Sequence, residues 1–131
     1  MGLNKKVLKE LESLALGDLV CVEWFDASLG KSLGSGVAVD VPVKSWGIYI
    51  GVLGKRQKHV IIAQNYFAYS NGIYDLDYTA VPVSWAVNVE VVDKNHVTLE
   101  EAERIFASFL RGGRRASKRK QEKVRNHEKL A

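Results

Sequence analysis

The sequence predicts a mainly β chain with flanking helices: a small barrel of five bent strands, an N-terminal helix, a C-terminal helix and a basic tail. Three observations predict it. Branched and aromatic residues alternate with polar ones in several short runs between residues 18 and 93, the period of a half-buried strand. Gly47 and Gly51 fall inside one of those runs, where a strand that turns a corner needs them. The stretches on either side of the strands change to helical spacing. The predicted divisions are a helix over 1–17, the barrel over 18–93, a helix over 97–111 and the tail over 112–131.

Residues 4–16 place Val7, Leu8, Leu11, Leu14 and Ala15 on one helical face. Asn4 can cap this helix and Gly17 can end it. "DLVCVEWF", 18–25, alternates as a strand. "DASLGKSLGSG" reads as a long loop, and its glycines lack the Gly-Lys-Ser/Thr ending of a phosphate loop. "VAVDVPV", 37–43, holds Pro42, which restricts it to an edge strand or an extended arm. "SWGIYIGVLG", 45–54, is a bent strand and "KRQK" a turn. "HVIIAQNYF", 59–67, predicts the central strand, buried over 59–65. Asn71-Gly72 marks a hairpin turn, "IYDLDYTAVPV" returns, "SWA" turns tightly, and "VNVEVVD", 87–93, completes the set. "VTLEEAERIFASFL" is an amphipathic helix with a capping box between Thr98 and Glu101.

A short helix followed by five bent strands, the last two joined by one turn in "AVPVSWAVNVEVV", resembles a small Sm-like barrel over residues 4–93. The Sm family's first motif carries a glycine, an aspartate and an RNA-contacting asparagine. "GVLGKRQKHVIIA" keeps Gly51 and the apolar strand but neither acidic nor amide partner, so no Sm binding residue carries over. "VEWFDA", "IIAQN" and "VPVSWAVNVEVV" together, over residues 22–92, resemble small orphan barrels of phages, archaeal viruses and plasmids. That resemblance implies a mobile-element origin and no activity.

Charge points to a partner. From Arg111 to Ala131 there are nine Lys or Arg and two Glu, a net of +7, while the other 110 residues carry a net of −3. Arg111, Arg114, Arg115, Lys118, Arg119, Lys120, Lys123 and Arg125 are therefore candidate phosphate contacts, with DNA and RNA equally open. The competing reading is a solvated terminus that keeps the chain soluble. Val124 and Leu130 are the tail's only large apolar residues, too few for a face that inserts into a membrane. Tyr66, Phe67, Tyr69, Tyr74 and Tyr78 cluster around the Asn-Gly turn. Acidic neighbours Asp75 and Asp77 favour packing for these rings, covering the barrel or a subunit partner. Tyr66 and Tyr69 are the candidates for base stacking, with Lys55, Arg56 and Lys58 supplying charge if the two loops meet.

No reaction is predicted. Asp75 and Asp77 share a strand face, but nothing nearby in sequence completes an acid–base or Mg²⁺ site. His59, His96 and His127 have no ligand spacing and Cys21 has no cysteine partner, so neither metal, cofactor nor disulfide is expected. Trp24, Trp46 and Trp85 read as core or rim packing. Lys9, Glu10 and Glu12 interrupt any signal-peptide core, and no apolar run approaches a membrane span, which predicts a cytoplasmic protein, in a host cytoplasm or a virion if viral. The expected function is non-enzymatic, sequence-independent nucleic-acid binding. The alternative is a protein–protein or virion-assembly module that oligomerises through the edge "GVAVDVPV" and the aromatic loop.

Overall fold

The N-terminal helix α1 spans Lys5–Glu12, and the Asn4 side chain accepts the Lys6 amide at 2.9 Å, the expected cap. It ends one turn earlier than its periodicity suggests. The Ser13 hydroxyl and amide both donate to the Glu10 carbonyl, and Leu14 and Leu16 leave the helix to pack against the core. Gly17 then passes so close to the following layer, at φ +100°, that a Cβ would lie 2.3 Å from the Val97 carbonyl oxygen. These coordinates belong to a computed structural model, in which residues 3–26, 40–70 and 74–111 are described.

Five antiparallel strands follow: β1 Leu19–Asp26, β2 Val41–Leu53, β3 His59–Ala68, β4 Tyr74–Pro82 and β5 Ala86–Asp93, ordered β4-β3-β2-β1-β5. The protein is mainly β, as expected. The sheet is open: β4 and β5 end the order and share no ladder, so hydrogen bonding does not close a barrel. The anticipated "SWA" turn is a 3₁₀ turn, Val83–Trp85, between β4 and β5. Helix α2, Leu99–Arg111, completes the described chain.

The described part of the arm "VAVDVPV" and the bent strand "SWGIYIGVLG" form one strand, β2; residues 37–39 lie outside the described residues. β1 pairs with β2 from Leu19↔Ile48 to Asp26↔Val41, whereas β3 pairs with it only from Ile48↔Ala63 to Leu53↔His59. Among the described residues Val41–Gly47 therefore has one paired strand, and Pro42 lies there, where a missing donor breaks least of the ladder. Gly51, at φ +135°, marks the register shift that bends β2, with the Phe106 ring of α2 packed over it.

Both sheet faces carry a core. Val20, Val22, Trp24, Tyr49, Val60, Ile62, Val81, Val83, Ala86 and Val89 fill one face, under α1 with its buried Val7. Ile50, Ile61, Ala63 and Ile105 fill the other, under α2. β3 is thus buried on both faces from Val60 to Ala63, but the expected burial through residue 65 stops there: Gln64 and Asn65 are exposed. Past Ala63, β3 leaves β2 and, among the described residues, runs on paired with β4, through Asn65↔Asp77 to Ala68↔Tyr74. The sheet forks at that point.

Candidate functional site

The mouth of the fork is an open groove of about 600 Å³ between β2, β3 and the start of α2. Its floor is apolar, from Gly47, Ile48 and Ala63, and its walls include Trp46, Gln64, Tyr66, His96 and Glu101. Each wall residue is placed by a local reason. Trp46 lies opposite Cys21, next to the close approach of Gly47 to β3, and its ring is 54% exposed. Gln64 sits at the register shift between Ala63 and Asn65. Its amide donates to the Trp46 carbonyl oxygen at 3.1 Å and its carbonyl accepts the Thr79 hydroxyl at 3.2 Å, so one side chain braces the fork where the β2–β3 ladder ends.

Glu101 is held by the first turn of α2. The Thr98 hydroxyl accepts the Glu101 amide at 3.2 Å, one half of the predicted capping box. The Glu101 carboxylate accepts a hydrogen bond from the Tyr66 hydroxyl across the groove. His96 lies 2.9 Å from the Asp93 carboxylate through Nδ1. Among the described residues, no Lys or Arg lines the groove. It combines exposed aromatic surface with a carboxylate, a setting suited to a cation and ill-suited to phosphate.

The sequence-predicted contacts scatter. Lys55, Arg56 and Lys58 are exposed in the turn before β3, while Tyr66 and Tyr69 lie near its far end. The seven residue steps from His59 to Tyr66 span about 23 Å of strand. The length of β3 therefore separates the cationic turn from Tyr66 and Tyr69. The Tyr69 hydroxyl donates to Asp75 at 2.9 Å, and Asn65 donates to Asp77 at 3.2 Å. Tyr78 packs edge-on against Phe109 of α2, with ring centroids 4.8 Å apart, the packing role expected of these aromatics. Arg111 ends α2, exposed, with Nε donating to the Ala107 carbonyl oxygen at 3.3 Å. Arg114, Arg115, Lys118, Arg119, Lys120, Lys123 and Arg125 lie outside the described residues.

Two features escaped the sequence reading. Trp24 and Trp85 do pack, stacked 6.2 Å apart, but Trp46 faces the groove. The hint was Lys44, which shares Trp46's alternation and is exposed. The second is Asp18, fully buried, whose carboxylate accepts the Ala15 and Asn95 amides at 2.9 Å each and the Lys94 ammonium at 2.6 Å. Burial pushes this carboxyl up, but the two amides and Lys94 outweigh it and hold the group below the ordinary aspartate value. Burial, assisted by Glu23, pushes the Cys21 thiol up, leaving it a protonated core group at neutral pH. Among the described residues, no group of three or more His, Cys, Asp or Glu could hold a metal ion, and no helix is long and apolar enough to cross a membrane.

No protein-family model, curated protein or solved structure matches this chain.

Proposed function

We propose that the protein binds nucleic acid without sequence preference and without catalysis, through the basic segment 111–131 carried on an acidic folded body. The observation that carries this reading is the division of charge: +7 in the last 21 residues against −3 in the rest. Clustered Lys and Arg displace the counterions condensed on a phosphate backbone, and that gain requires no base contact. Arg111, exposed at the end of α2, supports it by presenting the first of these cations at the surface. Lys55, Arg56 and Lys58 form a lesser cationic patch at the opposite end of β3 from the aromatic residues.

A coiled, Sm-like small barrel belongs to the same proposal. Two features support it: the three-residue turn that joins the two end strands, and the core on the α1 face, to which all five strands contribute. The likeness of "VEWFDA", "IIAQN" and "VPVSWAVNVEVV" to mobile-element barrels supports a host cytoplasm or a virion as the setting under this reading.

The exposed rings of Trp46, Phe67 and Tyr78, at 54%, 48% and 49%, favour a second reading as an assembly module. The test combines binding of random-sequence DNA and RNA, single- and double-stranded, with solution mass. Salt-sensitive binding that disappears when Arg114, Arg115, Lys118, Arg119 and Lys120 are changed to Gln supports nucleic-acid binding. A defined oligomer with no nucleic-acid affinity supports assembly instead.

A further inference from the structure

The groove at the fork has chemistry opposite to that of a phosphate site. Trp46 offers a half-exposed indole, Tyr66 a second ring, and Glu101 a carboxylate fixed in place by the Tyr66 hydroxyl. Gln64 and His96 complete the walls. A carboxylate with aromatic faces beside it attracts a guanidinium or ammonium group: the rings present their negative faces to the cation, and the carboxylate accepts its N–H donors. A hydrogen bond from Tyr66 still leaves Glu101 with acceptor capacity.

We propose that this groove seats an Arg or Lys side chain of the chain's own basic segment, residues 112–131. Charge complementarity favours this occupant, since the segment with Arg111 carries +7 and the rest of the chain −3. Reach favours it as well. Glu101 and Arg111 are ten residues apart on α2, which sets the segment's origin about 15 Å from the groove. Gly112 and Gly113 follow at once, and glycine permits a reversal of chain direction at little steric cost. An extended chain covers about 3.3–3.6 Å per residue, so the backbone at Lys118 reaches about 23–25 Å from Arg111. Lys118, Arg119 and Lys120 can therefore lie over the groove in the same molecule.

Docking concerns the groove alone and stands whether or not the segment also binds nucleic acid. One consequence rests on the function proposed above: groove and phosphate compete for the same cations, so the docked protein holds part of its binding segment in reserve.

The test uses the full chain, with the Trp46 indole N–H followed by NMR. Wild type is compared with a variant in which Arg114, Arg115, Lys118, Arg119 and Lys120 are all Gln, at about 50 mM and 500 mM salt, where screening lengths differ about threefold. The expected result is a Trp46 signal that moves with salt in the wild type, sits at the high-salt position in the variant, and is unchanged by twentyfold dilution. A Trp46 signal identical in both proteins overturns the proposal. So does one that changes on dilution, which would assign the groove to the segment of a second copy. For the consequence, Trp46→Ala should bind random-sequence DNA three- to tenfold more tightly at low salt. If neither protein binds DNA or RNA, the nucleic-acid reading fails while the NMR result still decides the docking.

Discussion

The Asp18 carboxylate gathers three parts of the chain: the exit from α1 through Ala15, and the turn after β5 through Lys94 and Asn95. One oxygen accepts Ala15 and Lys94, the other Asn95, so both are committed to donors. An asparagine supplies only one acceptor and turns an NH₂ toward a donor on the other side. Asp18→Asn should cost on the order of 3 kcal/mol, the range for breaking a buried, hydrogen-bonded ion pair. Chemical denaturation at pH 7 checks this. The folded carboxyl titrates below its unfolded value, so its contribution is complete above about pH 4 and disappears as pH falls through the lowered folded value. Wild type should therefore lose its advantage over Asp18→Asn on acidification, and an advantage that persisted or grew would contradict the assignment. Asp75 and Asp77 belong to a different class of carboxylate, tied to Tyr69 and Asn65 near the rim of the sheet. Asp75→Asn should leave intact any phosphodiesterase or nucleotide hydrolysis measured in a purified sample; abolition would make Asp75 catalytic.

Strand β3 shows why a single element can be both core and site. Its first half is sandwiched between the core under α1 and the core under α2, and its second half, among the described residues, has β4 as its one paired strand. Ile61 is 4% exposed and packs beside Ile50 and Ile105, so Ile61→Ala should cost about 2–5 kcal/mol. Phe67, 48% exposed on the same strand, should cost much less on truncation, about 0.5 kcal/mol. Equal losses at the two positions in urea titrations would refute the forked sheet. The strand itself was legible in "HVIIA", because an uncharged apolar run bounded by turn signals has few other fates. The place where its burial ends was not legible. That depends on where β2 and β3 part, a matter of register between strands, and Gln64 as the brace is visible only once Trp46 and Thr79 flank it. The same limit explains the groove. Periodicity put Glu101 in a helix cap and Tyr66 in a strand, but their meeting across 35 residues needs the packing of α2 on the sheet. Pro42 and Gly51 were legible for the opposite reason: a missing donor and a positive φ are properties of the residue itself.

At the scale of the whole molecule, two ends of one strand carry different chemistry. Lys55, Arg56 and Lys58 stand at the start of β3, and the carboxylates Asp75, Asp77 and Glu101 surround its far half. Under the proposed function, a polyanion drawn to the basic segment is repelled by that acidic face, and the cationic turn of Lys55, Arg56 and Lys58 lies about 20 Å along β3 from it. On that proposal the body adds little to the contact, and the segment's own charge should set the salt response. If about four of its nine cations pair with phosphate, log affinity should fall against log salt with a slope near −3 to −4. Changing Lys55, Arg56 and Lys58 to Gln should lower that slope by less than about 1, while neutralising Arg114, Arg115, Lys118, Arg119 and Lys120 should remove most of it. Titrations of a labelled random-sequence duplex at four salt concentrations measure all three slopes. The reverse ranking, with the turn variant flatter than the segment variant, would move the binding surface to the β2–β3 turn and make the segment a solubilising appendage.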